Sequence, residues 1–129
     1  KILRRKKKSM NTLDVEILSY SSLEPEYDDD VRLAEGKMTI QIEDNLTLNG
    51  KVKRFTVVAT CQVLVVQDEV DGSWNLASMT VDQYDFKYFD KSDTVITADE
   101  ESILANHLDS TYEEQYRQLE ILVQEDVRM

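Results

Sequence analysis

An Asn-Gly pair at positions 49 and 50 constrains the fold of this chain more than any other local feature. The pair separates two segments in which apolar and polar residues alternate, and Asn and Gly tolerate the positive φ angles of a two-residue type I′ turn. In such a hairpin the numbers of facing residues add up to 99, which pairs apolar residues with one another: Met38 with Cys61, Ile40 with Ala59, and Ile42 with Val57. One face is therefore predicted to be buried and the other mostly polar. The outer pairs, Leu48 with Lys51 and Leu46 with Lys53, fit this pattern less well, so we expect the hairpin tip to twist away from the core.

A first strand is predicted upstream of this hairpin, over residues 12–20. Its apolar residues alternate with polar ones, as in a half-buried strand: Leu13, Val15 and Ile17. Residues 21–30 contain the only proline and have no apolar periodicity, and five of the seven residues from 24 to 30 are acidic. This composition is typical of a surface loop.

A second turn, at Asp71-Gly72, joins a strand over residues 53–67 to another over residues 73–89. A two-residue loop and a three-residue loop give different registers for this pair of strands. We expect the three-residue register near the turn and a bulge around residues 82–84, beyond which the two-residue register returns. Residues 63–66 are apolar on both faces, which is typical of a central strand covered on both sides. We therefore expect that something beyond one helix covers that end of the sheet.

The apolar period changes near the carboxyl end of the chain. Thr97 followed by Glu100 matches a capping box, which marks the start of a helix. The large apolar residues beyond it share one side of a helical wheel: Leu104, Leu108, Tyr112, Tyr116, Leu119, Leu122 and Val123. They predict one amphipathic helix over residues 98–126, about 40 Å long at the usual rise per residue.

Together these elements predict an α+β fold, in which an antiparallel β-meander of four to five strands carries one long C-terminal amphipathic helix packed on the sheet. A chain of 129 residues has the size of one domain. We expect a single α+β domain over residues 10–129, preceded by a flexible basic leader over residues 1–9.

The charges are strongly segregated along the chain. Six of the 15 basic residues lie in the first eight positions, and the other 121 residues hold nine basic and 26 acidic side chains, a formal charge of −17. Such a body repels nucleic acid, so we expect no direct nucleic-acid binding by the folded part. The leader could be a nuclear-localisation-like cluster, a nucleic-acid arm, a contact to an anionic surface or the end of a helix that continues upstream. It could also follow a removed transmembrane segment, or simply be solvated. We favour a cytoplasmic location, with membrane tethering as the alternative if Lys1 follows a removed span.

The sequence contains no motif of catalysis or of metal binding. His107 is the only histidine and is predicted at the solvent flank of the helix, while Cys61 is predicted on the buried sheet face. The acidic loop lacks the ligand spacing and the glycine of an EF-hand, and the three glycines are isolated from one another. We therefore predict no catalytic residue, no cofactor and no metal site.

A long sheet with a Gly-Ser-Trp turn at residues 72–74 resembles, over part of the chain, the NTF2-like domains, including those of secretion-system scaffolds. Those domains usually begin with helices, whereas this chain begins with a predicted strand. The resemblance implies a pocket between sheet and helix. An enzyme or small-ligand domain of this kind would line the pocket with Tyr84, Tyr88 and an acid, either Asp82 or Asp85.

The leading functional hypothesis is a non-enzymatic protein–protein interaction or assembly module of a larger complex, such as a viral or mobile-element assembly. The partner would be another protein or a second copy of the chain, because surplus apolar surface on a small domain often marks an interface. Our interface candidates are Leu64, Val66, Trp74, Tyr112 and Tyr116. Trp74 has a core-anchor alternative. A further alternative for the chain is an acidic decoy that inhibits a nucleic-acid-binding protein.

Overall fold

The computed structural model describes residues 12–21, 23–89 and 96–128. It contains five strands and two helices in these ranges, in the order β1 (Asp14–Ser21), β2 (Glu26–Asp28), β3 (Val31–Leu48), β4 (Lys51–Gln67), β5 (Trp74–Phe89), α1 (Ala98–Ser110) and α2 (Tyr112–Asp126). The strands form one antiparallel sheet of order β1-β3-β4-β5, and β2 pairs with the start of β3. The predicted α+β class is confirmed. The predicted leader, residues 1–9, lies outside the described residues.

The predicted register of the first long hairpin is confirmed along its whole length. Every β3–β4 pair from Leu33 with Val66 to Leu48 with Lys51 obeys the expected sum. The six apolar residues that this register brings together are fully buried on the inner face of the sheet, which the two helices cover: Met38, Ile40, Ile42, Val57, Ala59 and Cys61.

The expectation that the hairpin tip turns away from the core is wrong for its leucines. Leu48 is only 8% exposed and belongs to the main hydrophobic core, and Leu46 packs against that core. Both residues share the inner face of β3 with Ile40 and Ile42, because side chains two positions apart point to the same side of a strand. On the facing strand, Lys51 and Val52 are exposed and Lys53 is half-buried.

The second long pair, β4 with β5, has three register shifts. Each shift leaves one extra residue on β5: Ala77, Asp82 and Lys87. The bulge at Asp82 separates the two registers that were predicted on either side of it and is confirmed. The shifts at Ala77 and Lys87 were not predicted. The connecting loop is also longer than the two or three residues expected, since Gln67 pairs with Trp74 and the Asp68 N–H donates to the Ser73 carbonyl over 2.8 Å.

The bulges recur every five residues and keep the apolar side chains of β5 on one face. A simple alternation would send half of these residues to solvent, and each extra residue restores the inward direction. The inward positions are Trp74, Leu76, Met79, Val81, Tyr84 and Phe86, all buried or half-buried. Bulges also bend and twist a strand, so β5 is predisposed to follow a curved sheet.

The single long helix that was predicted is divided into two at Thr111. The capping box of Thr97 and Glu100 at the start of α1 is confirmed. At the division, the Thr111 side chain donates to the carbonyls of His107 and Leu108, and the buried Gln115 amide also donates to the Leu108 carbonyl over 2.7 Å. These side-chain bonds compete with regular helical bonds at that turn. The apolar stripe still faces the sheet.

Helix α2 contacts both edge strands, β1 and β5, so the sheet curves around it. Both helices lie on the inner face, and the second cover expected over the outer side of residues 63–66 is not found in the described ranges. None of the described helices is long and apolar enough to cross a membrane.

Candidate functional site: the outer face of the sheet

The outer face of the sheet is open along the central strand β4. The outward residues of β4 between positions 58 and 66 are all uncharged, although 32% of the chain is charged: Val58, Thr60, Gln62, Leu64 and Val66. On the neighbouring strand β5, the facing residues are also neutral up to position 83: Asn75, Ser78, Thr80 and Gln83. This combination leaves a neutral surface two strands wide, which we call the neutral face.

A groove of about 520 Å³ crosses the neutral face and β3. The groove is lined by residues of three strands, among them the backbone of Gly36. The other lining residues are Glu35, Lys37, Gln62, Val63, Leu64, Ser78 and Thr80. Lys37 faces Gln62 across the β3–β4 pair, and Glu35 faces Leu64. The groove therefore has an apolar and amide floor with one charge of each sign at its β3 side.

Of the five predicted interface candidates, Leu64 and Val66 lie on the neutral face. Both are half-buried, and Val66 faces the half-buried Leu33 on β3. The other three candidates, Trp74, Tyr112 and Tyr116, lie on or beside the inner face. The candidates thus belong to two different surfaces rather than to one.

Trp74 is 2% exposed and part of the core, in agreement with its core-anchor alternative. The guanidinium of Arg32 lies 5.5 Å from the centre of its ring and donates to the Gln67 side chain over 3.3 Å. A cation stacked on an indole face stabilises both groups and shields the ring from solvent.

Tyr112 and Tyr116 join α2 to the edge strand β5. Their hydroxyl groups donate to the carbonyl oxygens of Met79 over 2.5 Å and of Leu76 over 3.2 Å. Burial raises the pKa of both hydroxyls, which extends to higher pH the range over which they remain donors. The two tyrosines therefore occupy backbone acceptors that an edge strand would otherwise offer to another chain.

Gln118 makes the corresponding contact with the opposite edge of the sheet. Its side-chain oxygen accepts from the Val15 N–H over 3.0 Å, and its amide nitrogen donates to the Leu13 carbonyl over 2.7 Å. The Gln118 side chain thus makes the two hydrogen bonds that a neighbouring strand would make with the backbone of Leu13 and Val15. Together with the two tyrosines, it lets α2 close both edges of the curved sheet. Periodicity identifies none of these contacts, because they depend on where the helix lies.

The interpretation of His107 as a solvent-flank residue is wrong. Its Nε2 atom lies 2.8 Å from Oδ2 of Asp44, and its ring packs edge-on against Phe55. The Asp44 side chain is nearly inaccessible to solvent and also accepts from the Thr12 hydroxyl and from the Asn45 N–H. Thr12 therefore contacts the carboxylate and not the imidazole, unlike a nucleophile activated by histidine. We interpret the cluster as a link between α1 and the hairpin.

The residues proposed for a sheet–helix pocket are only partly brought together. Tyr84 is half-buried beneath the helices, and burial, with a smaller effect of the Asp109 charge, raises its pKa to about 12. Asp82 and Asp85 are exposed, and Asp85 faces Val58 on the outer side of the sheet. The Tyr88 side chain lies outside the described part. Near Tyr84, Oε1 of the buried Gln115 has no hydrogen-bond partner.

Among the described residues, no group of three or more His, Cys, Asp or Glu side chains is arranged to hold a metal ion. Comparison of the chain with models of protein families, with curated proteins and with solved structures finds no match.

Proposed function

We propose that this chain is a non-enzymatic interaction module that packs its neutral face against another protein in a larger assembly. The single observation that carries this proposal is the uncharged outward row of β4, from Val58 to Val66, in a chain with 41 charged residues among 129. The solvated face of an antiparallel sheet has no structural need to avoid charge. The centre of a protein interface does, because charged groups lose hydration there.

The composition of the neutral face fits an interface core. Three of its five β4 positions are apolar, and all three are half-buried: Val58, Leu64 and Val66. Threonine, serine and glutamine side chains occupy most remaining positions, and these groups can form hydrogen bonds without a large desolvation cost. Single exposed apolar residues are ordinary on protein surfaces. A contiguous row of uncharged residues is more specific evidence for an interface.

The rim of the neutral face suits a protein partner better than a nucleic acid. Its charged residues are Glu35 and Lys37 on β3, and Asp85 and the exposed bulge residue Asp82 on β5. One cation among three acids offers no phosphate-binding stripe, and the formal charge of the whole chain is −11. A partner with an apolar or amide-rich surface and its own peripheral charges would complement this arrangement.

Site-specific photo-crosslinking tests the proposal directly. A photoreactive phenylalanine analogue at Gln62, on the neutral face, should give a discrete crosslinked adduct in the native cells of this protein. The same analogue at Ile121, which is 45% exposed on α2, serves as the matched control and should not give that adduct. Adding Leu64→Lys to the Gln62 probe should abolish the adduct. The same adduct from both positions, or no adduct from Gln62, would reject the neutral face as the interface.

A further inference from the structure

The tip of the β3–β4 hairpin carries a cluster of positive charge on an otherwise acidic body. Of the nine basic residues beyond position 8, three lie here: Lys51, Lys53 and Arg54. Between them, Val52 is 69% exposed, one of the most exposed large apolar side chains of the described residues. We call residues 49–54 the basic tip.

Two of the three cations of the basic tip have no acidic partner within the described ranges. Arg54 forms an ion pair with Glu43 over 2.8 Å, whereas Lys51 and Lys53 take part in none. The tip is nonetheless anchored to the core, because Leu48, directly opposite Lys51, is buried there. A rigid docking surface loses less conformational entropy when a partner binds.

The opposite end of β3 carries the complementary charge. Residues 24–30 precede this strand, and their acids are all exposed: Glu24, Glu26, Asp28, Asp29 and Asp30. Among them, Tyr27 is 72% exposed. We call this segment the acidic turn, because Asp29 and Asp30 adopt the positive φ angles of a tight turn between β2 and β3. Lys51 and Lys53 share one face of the tip, and Val52 lies on the other; at the opposite end Glu26 and Asp28 share one face of β2, and Tyr27 lies on the other, opposite Arg32.

Within one molecule the two ends cannot meet. Strand β3 has 18 residues, which corresponds to about 60 Å of extended chain at the usual strand rise. This distance is several times the Debye length of about 8 Å at physiological salt, so the ends do not attract one another appreciably. Only another molecule can bring the opposite charge to either end.

We propose that the basic tip is a docking surface for a second copy of this chain and that it contacts the acidic turn of that copy. Two copies placed antiparallel satisfy the contact twice and form a closed dimer. Each contact joins Lys51 and Lys53 of one copy to the carboxylates of the acidic turn of the other. This inference goes beyond the proposed function, since it uses neither the neutral face nor its partner.

A second copy is a better occupant than a membrane or a nucleic acid. An extended anionic surface of either kind would meet only the three cations of a narrow hairpin, one of which, Arg54, is already paired with Glu43. A second copy instead supplies the five acids of its own acidic turn at the opposite end of a strand of equal length. The charge patterns of the two copies then match in register.

Sedimentation of the full chain at several concentrations tests the proposal. At about 0.05 M salt we expect the average mass to rise from one chain toward two with concentration, and at about 0.5 M salt we expect the apparent Kd to rise about tenfold or more. The double variant Lys51→Glu with Lys53→Glu should lose this association. The triple variant Glu24→Lys, Glu26→Lys and Asp28→Lys should lose it as well.

A mixture of these two variants is the decisive experiment, because the charge-reversed tip of one variant complements the charge-reversed turn of the other. We expect dimers in the mixture although neither variant forms them alone. The control, Lys37→Glu with Ile121→Glu, shifts the net charge by −3, against −4 for the tip variant, and alters exposed sites outside the tip and the turn. It should associate like the unmodified chain.

Three outcomes would overturn the proposal: a single-chain mass at every concentration, equal loss of association in the control, or association that persists after reversal of the tip. The last result would assign the attraction to another cationic segment, such as residues 1–9. Leu64→Lys, on the neutral face, should leave the salt-dependent dimer intact. The docking surface and the proposed function can therefore fail independently.

Discussion

The Asp44 carboxylate is nearly withdrawn from water and is held by three hydrogen-bonding partners: His107, Thr12 and the backbone of Asn45. Replacing His107 with Leu would remove a partner and leave a buried carboxylate poorly satisfied. We expect a loss of about 1–3 kcal/mol in the free energy of unfolding. A double-mutant cycle with Asp44→Asn, measured by urea unfolding, should show a coupling of at least about 0.5 kcal/mol. Strictly additive losses would contradict a direct contact.

Cys61 is fully buried, and burial, with a smaller effect of the nearby Asp82 charge, raises the pKa of its thiol from 9.0 to about 12. We expect the folded chain to resist alkylation at pH 8 and to be labelled rapidly once unfolded in denaturant. The unfolded chain releases the thiol proton near pH 9, whereas the folded chain retains it. The thiol therefore favours folding fully at neutral pH, and that contribution falls as pH rises from about 9 toward 12. The Cys61→Ala variant should show a weaker alkaline loss of stability, and rapid labelling of the native chain would contradict the buried position.

Strand β5 shows which features of an element can be predicted from the sequence. The distance along the chain between successive inward residues alternates between two and three positions. This spacing accounts for the bulge at Asp82, which was predicted, and for those at Ala77 and Lys87, which were not. The division of the helix at Thr111 has no such periodic signal, because Thr111 and Gln115 remain compatible with a continuous stripe. That division depends on side-chain hydrogen bonds to two carbonyls, which a helical wheel does not represent.

The register of β4 makes a sharp distinction between its two faces. Val57→Asp would place a charge without a partner on the fully buried inner face, and we expect a loss of about 3 kcal/mol or more. Gln62→Asp, on the outer face opposite Lys37, should change stability by about 0.5 kcal/mol or less. Thermal unfolding of both variants, followed by circular dichroism, compares the faces. Similar losses in the two variants would argue against the register.

Helix α2 closes the β1 edge through Gln118, which satisfies two buried backbone groups. Gln118→Leu keeps the volume but leaves the Val15 N–H and the Leu13 carbonyl without partners, so we expect a loss of about 2 kcal/mol or more. Hydrogen exchange should show faster exchange of the Val15 amide, while the Ile42 amide stays protected. Gln124→Leu, which removes an exposed side-chain hydrogen bond to Asn75, is the matched control. Unchanged protection of Val15 would exclude the edge contact.

At the scale of the whole molecule, sequence patterns account for the layers of the fold better than for the contacts between them. The register, the buried sheet face and the apolar helical stripe all follow from local periodicity. The pairing of Asp44 with His107 links positions 63 residues apart, and the path of α2 between the two edges is equally non-local. The neutral face emerges only when outward residues of neighbouring strands are aligned. A contiguous surface of this kind is not a feature of any single segment.

The helices complete the core of the sheet, and their removal should abolish folding. Four of their apolar side chains are fully buried against the sheet: Leu104, Leu108, Leu119 and Val123. Exposing such side chains costs about 1.5–3 kcal/mol each, which together rivals the whole stability of a small domain. A fragment of residues 10–96 would also leave the tyrosine- and glutamine-covered edges of β5 and β1 open to aggregation. We expect that fragment to be insoluble or to give the poorly dispersed amide spectrum of an unfolded chain. A stable monomeric fragment would instead mean that the sheet is complete alone and that the helices are available to pair with another chain.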